Sequence, residues 1–233
     1  MCVVIVKKGK AKLSDKVLEA CWDTNPHGGG FAFAKDDKIA VFKSMKKEEF
    51  LSELRTQLDN YPELTFLIHM RIKTAGNISK LNTHPFVVNK DVVFAHNGHI
   101  QGMPESNKVS DTNFFNKLVL SRMNLDIGNS SQLKLIELAI GRGNKLGFLH
   151  SSGDFKIANE SEGTWVDGSW FSNCYHENSY ASNDIWYMDE SEYNELGITK
   201  EEAESSNIEV VNDSEWKSKS FQEFDKKKMK EGI

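Results

Sequence analysis

The chain opens Met1-Cys2-Val3-Val4-Ile5-Val6, and this stretch restricts the fold more than any other. Val3 to Val6 is a β-branched run suited to a buried strand, because branching at Cβ favours extended backbone and packs well on a pleated surface. A strand that starts this early holds Cys2 at a sheet edge inside the protein. Removal of Met1 would leave a thiol and an unblocked α-amine on one residue. An α-amine titrates near ~7.7–8.0 and a thiol near ~8.5, so at neutral pH the amine can take the thiol proton and release the thiolate, the attacking form. Read alone, Cys2 is a small hydrophobe at the head of a core strand; the rest of the chain has to move that reading.

Bulk properties narrow the class. At 233 residues, 39% hydrophobic and 27% charged, the chain has the length and balance of a soluble globular protein with a sizeable core. A net charge of -5 and a pI near 5.8 offer no electrostatic basis for binding nucleic acid or an anionic membrane. No apolar run reaches the length of a membrane span, and the basic region and cleavage site of a signal peptide are missing. Cys2, Cys21 and Cys174 are too scattered for a disulfide framework, and no C-x-x-C spacing suggests zinc. A reducing, cytoplasmic setting is expected.

Taken in order, Ser14-Asp15 starts a helix through Val17, Leu18 and Cys21. The run 22–30, WDTNPHGGG, is an irregular loop in which a Cβ would be obstructive; it lacks the ending of a phosphate-binding loop. Residues 31–34 and 39–42 form a hairpin about Lys35-Asp36-Asp37-Lys38. Ser44 to Tyr61 is an amphipathic helix with Phe50, Leu51, Leu54 and Leu58 inward. Residues 65–68 and 92–95 are buried strands. Ser110-Asp111-Thr112 caps a helix whose inner face is Phe114, Phe115, Leu118 and Val119. Ser130 to Ile140 is a further helix, burying Leu133, Ile136, Leu138 and Ile140. Strands follow at 146–150, 155–158, 164–166, 170–172 and 185–187. Helices grouped between two sets of short strands indicate an α+β fold with antiparallel sheets. Residues 2–187 are read as one domain. Residues 188–233, acidic and then basic, form a charged extension expected to be helical or in part disordered.

Three polar clusters follow strand ends, where functional loops sit. Arg71 offers a planar fork for a carboxylate, or a surface ion pair. Asn97-Gly98 offers a side-chain amide and an unhindered N–H for an oxyanion, or a plain turn. Asp111 offers an anion for an ammonium group, or a helix cap. His96 and His99 flank the second cluster and read as structural, a weak metal signal; no metal or cofactor is expected. Ser172 and Asn173 are placed on the floor of the same site.

Together these residues resemble the class-II glutamine amidotransferases of the N-terminal nucleophile hydrolase superfamily. The resemblance rests on Met1-Cys2, Asn25-Pro26 with its glycines, His69-x-Arg71-x-x-Thr74-x-Gly76, His84-Pro85-Phe86, His96-Asn97-Gly98 and Ser110-Asp111-Thr112, in the family's order. It implies a four-layer αββα sandwich of two antiparallel sheets flanked by helices. It implies Cys2 as nucleophile with its own α-amine as base, Asn97 and Gly98 at the oxyanion, and Arg71 on the glutamine α-carboxylate. Thr74 and His84 would lie nearby, and Asp111 would hold the α-ammonium. The reaction implied is hydrolysis of L-glutamine to glutamate and ammonia through a glutamyl thioester. Val3 departs from the family's usual glycine, and His27 stands where an Asp often follows Asn-Pro.

About a fifth of the chain follows Tyr187, too little for a synthase domain. The reading is therefore a stand-alone glutaminase module, either passing ammonia to a separate synthetase or transferase subunit or acting as a simple glutaminase. Two alternatives stay open: an amidohydrolase or acylase acting on another amide, and a degenerate, non-catalytic binding domain.

Overall fold

In the computed structural model, residues 2–174 are described, together with the backbone of 186–188 and 208–210. The first strand, β1 (Val3–Lys7), is buried at every position, as its β-branched run predicts. Helix α1 (Asp15–Thr24) starts at Ser14, whose side chain accepts from Val17 N–H, and stops where Asn25-Pro26 cannot continue it. β2 (Gly29–Lys35) and β3 (Lys38–Ser44) form the expected hairpin. Asp36 and Asp37 have φ of 51° and 56°, the paired left-handed conformation that matches strand twist in a two-residue turn. Helix α2 (Lys47–Asn60) begins three residues beyond the expected Ser44, because the Ser44 hydroxyl accepts from Lys46 N–H ahead of the helix.

β4 (Phe66–Met70) follows, then the two-residue β5 (Phe86–Val87), which the sequence pattern did not signal, and β6 (Val92–Asn97). Helix α3 (Asp111–Leu118) is capped by Ser110, and α4 (Ser130–Ile140) has the expected bounds. The last strands of this unit are β7 (Lys145–His150), β8 (Phe155–Ala158), β9 (Thr164–Val166) and β10 (Ser169–Phe171).

The strands form two sheets, antiparallel throughout, in the orders β3-β2-β4-β1-β10-β9 and β5-β6-β7-β8. Three apolar clusters show how they stack. Leu18, Trp22, Phe50 and Leu54 from α1 and α2 pack on Ile5, Phe31 and Ile68 of the six-stranded sheet. Val4, Val6, Ala32 and Leu67 meet Val93, Ala95 and Leu149 between the two sheets. Phe115, Ile136 and Ile140 from α3 and α4 pack on Phe94, Leu146 and Phe148 of the four-stranded sheet. Alternation along β1 sends Val3 and Ile5 to the helices and Val4 and Val6 to the facing sheet, which makes four layers, αββα.

Two inner-face expectations fail. Leu118 of α3 and Leu138 of α4 are 42% and 70% exposed. In α3 the inward positions are taken by Asp111, Thr112, Asn113 and Asn116, so the helix turns polar groups to the interior and leaves Leu118 outside.

The chain divides into two compact units, Met1–Tyr180 and Ala181–Ile233. In the second, β11 (Trp186–Met188) and β12 (Ile208–Val210) pair in parallel. The expected charged extension lies otherwise outside the described residues. No described helix is long and apolar enough to cross a membrane.

Candidate active site

Register puts the first pieces side by side. Val3 pairs with Met70 in the antiparallel β1–β4 ladder, so Cys2 and Arg71 emerge together where the ladder ends. The Cys2 Sγ donates to the Ile72 carbonyl at 3.3 Å. Burial pushes the thiol pKa up, against the opposing pull of the Arg71 guanidinium. Val3, at the position of the family's usual glycine, packs into the helix-facing core.

Arg71 is 3% exposed, and its fork donates to the carbonyls of Ala75 at 2.7 Å and Asn77 at 2.9 Å. The loop after β4 thus folds back onto its own arginine. Burial lowers the guanidinium pKa, while Cys2 and Asp111 raise it. His27 supports the same loop: its Nδ1 accepts from Lys73 N–H at 2.9 Å, so its proton is on Nε2. Gly30, expected in a loop, lies in β2, where a Cβ would run into the carbonyl oxygen of His84, which accounts for a glycine there.

The third segment is the turn after β6. Gly98 has φ of 143°, and a Cβ there would collide with the Asn144 side chain. Asn144 Nδ2 donates to Ile140 O, so its Oδ1 is an acceptor, and His96 Nε2 donates to it at 2.9 Å. With its proton on Nε2, neutral His96 accepts at Nδ1 from the Thr112 hydroxyl at 2.7 Å. Burial depresses the His96 pKa to about 4, which keeps that tautomer neutral. His69 and His84, packed edge to face at 4.1 Å, are held well below the ordinary histidine value by burial.

Asp111 opens α3. Its Oδ2 accepts from Ile100 N–H at 2.7 Å, with His99 Nδ1 at 3.4 Å. Asn82, fully buried, braces the approach to this helix, donating to Lys108 O and accepting from Ser110 N–H.

Six of the seven expected residues, Cys2, Arg71, Thr74, His84, Gly98 and Asp111, line one cleft. Asn97 does not line it; its buried side chain lies against Ser172, with Nδ2 and Oγ 2.8 Å apart. The cleft's volume is about 20 Å³, room for about one water molecule. His96, Ser110 and Thr112 also line it. His96, expected from sequence to be structural, has ring partners 16 and 48 residues away, Thr112 and Asn144. Nothing in the sequence pattern pointed to Asn144 or Asn82.

Fold and cleft define a layered α+β domain in which half-buried Cys2 shares a cleft with an arginine and an aspartate. Residues 16–115 match the model of the class-II glutamine amidotransferases. The match takes in Arg71, Asn97, Gly98 and Asp111 and begins after Cys2. An uncharacterized protein of Methanocaldococcus jannaschii is 34% identical over 100 residues, 41% of this chain and 28% of that one. A Haemophilus influenzae protein named "Putative glutamine amidotransferase" is 30% identical over 88 residues, 36% of this chain and 30% of its own length. The chain thus spans less than a third of either relative. The solved structure of Bacillus subtilis glutamine phosphoribosylpyrophosphate amidotransferase, with ADP and GMP, aligns at a TM-score of 0.45 and 15% identity. That alignment covers 73% of this chain and 41% of the other.

Proposed function

We propose that this domain hydrolyses the side-chain amide of L-glutamine at Cys2 and releases ammonia for a separate synthetase or transferase subunit. The observation that carries the reading is one cleft shared by Cys2, Arg71, Gly98 and Asp111. A cation and an anion there can bracket the α-carboxylate and α-ammonium of a free amino acid. The two ends fix the δ-carbon against sulfur, so binding energy is converted into orientation.

Burial raises the Cys2 pKa, so attack at neutral pH needs a base. Removal of Met1 supplies one in the α-amine of Cys2 itself. The thiolate attacks the δ-carbon, and the oxyanion that develops takes hydrogen bonds from Gly98 N–H and the Asn97 amide. The C–N bond breaks as ammonia leaves with the proton held by the amine. Water then hydrolyses the thioester, giving glutamate and restoring the thiol. Thr74 and His84 line the substrate's flank, with His84 neutral.

A cleft of about 20 Å³ holds a water, not an amino acid. Substrate entry therefore requires the loop after Arg71 to move, and the substrate carboxylate replaces the Ala75 and Asn77 carbonyls on the guanidinium. A charge-assisted pair in place of two neutral acceptors drives that exchange.

The test is glutamate formation from glutamine by the purified protein, alone and with lysate, together with intact mass. Turnover by a protein lacking Met1, abolished in Cys2→Ala with an unchanged unfolding transition, is the expected result. No turnover under either condition would refute the reading. Preference for N-acylated amides would refute the role of Asp111.

A further inference from the structure

Ser172 lies just past β10, 1% exposed, between the nucleophile strand and the Asn97 turn. Its backbone N–H donates to Val4 O at 2.9 Å, and its Oγ accepts from Val4 N–H at 2.9 Å. The Asn97 Nδ2 lies 2.8 Å from the same Oγ, while Asn97 Oδ1 is buried with no hydrogen-bond partner among the described residues. A hydroxyl has one proton to give. With Val4 N–H already on its oxygen, that proton is available to Asn97. Turning the amide by 180°, which exchanges two nearly isosteric atoms, lets Ser172 donate to Oδ1. The NH2 group then takes the unpartnered position. A buried orphan acceptor becomes a satisfied one, and the amide N–H is left without a partner. The next residue ties the same corner, since Asn173 Nδ2 donates to Cys2 O at 2.6 Å.

We propose that Ser172 is a positioning residue: anchored by Val4 N–H, its hydroxyl fixes the Asn97 amide with its N–H directed at the oxyanion formed on the Cys2-bound δ-carbon. The inference rests on the glutamine reading above. It also explains why a serine, and not an apolar residue, fills a position sealed from solvent beside the inter-sheet core.

The experiment is a double-mutant cycle on the full chain, reading kcat and KM for glutamine and the thermal unfolding of each variant. Loss of one oxyanion donor costs about 100- to 1,000-fold in kcat. Ser172→Ala leaves the amide in place but unoriented, so a loss of about 10- to 100-fold is expected, with KM within about threefold because Arg71 and Asp111 are untouched. In an Asn97→Ala background the same change is expected to cost less than about twofold. Ser172→Cys, which fills the space with a weak donor, is expected to follow Ser172→Ala and excludes packing as the cause. Normal kcat in Ser172→Ala, or an equal loss in both backgrounds, would overturn the assignment while leaving the glutamine reading intact. An inactive wild-type protein would overturn both.

Discussion

Helices α1 and α2 on one side and helix α3 on the other both cover a sheet, yet they bury different chemistry. The first pair turns Leu18, Cys21, Trp22, Phe50, Leu51 and Leu54 inward, and the aromatic rings of Trp22 and Phe50 sit 5.2 Å apart. Helix α3 turns in Asp111, Thr112, Asn113 and Asn116, with Phe115 the fully apolar member. Each polar group there has work that is not packing. Thr112 donates to His96, Asp111 holds Ile100 N–H, Asn113 donates to Leu81 O and Asn116 to Val87 O. One layer supplies stability through area removed from water; the other gives up area to hold a turn and a carboxylate in place.

Single substitutions should separate the two. Phe50→Ala, at 0% exposure, is expected to cost about 3–5 kcal/mol in chemical unfolding while the folded fraction keeps its glutamine kcat. Asp111→Asn keeps an acceptor for Ile100 N–H and should unfold close to wild type. Its kcat/KM for glutamine should fall by about 100-fold, the scale of a lost buried charge pair, about 3 kcal/mol. If both variants lost stability alike, the contrast between layers would fail.

Three buried histidines, none of them in α1 or α2, carry a pH signature. His69, His84 and His96 are held below the ordinary value near ~6.5, His96 at about 4, by burial. Between those limits the unfolded chain binds more protons than the folded one. Stability is therefore fully present above about pH 6.5 and declines as pH falls toward 4, by up to about 1.4 kcal/mol per pH unit for each histidine. Urea midpoints at pH 7.5 and pH 5 check this, and equal midpoints would contradict it. The smallest effect is expected on the outer face of α4, where Leu138→Lys should shift stability by no more than about 0.5 kcal/mol.

The two regions also differed in how far they could be read from sequence. Where apolar periodicity decides, as in β1 and the β2–β3 hairpin, element and position follow from the residues; in α4 it set the bounds but misplaced Leu138. The same rule misplaced Leu118, because α3 obeys the needs of the cleft and not a hydrophobic stripe. Cys2, Arg71, Gly98 and Asp111, which the structure brings to one cleft, stood out in the sequence since each lies at a strand end or helix start. His96, Asn144, Asn82 and Ser172 were not, or only faintly. Their partners lie up to 168 residues away, as between Val4 and Ser172, and only the sheet register brings them together.

The account turns on Cys2 as the proposed nucleophile toward glutamine, and exposed Cys174 provides an internal control for thiol accessibility. An electrophilic diazoketone analogue of glutamine, followed by intact mass and peptide mapping, tests this directly. A single adduct on a Met1-free Cys2, suppressed by glutamine, is the predicted outcome. Labelling confined to Cys174, or labelling of Cys2 that glutamine does not slow, would contradict it.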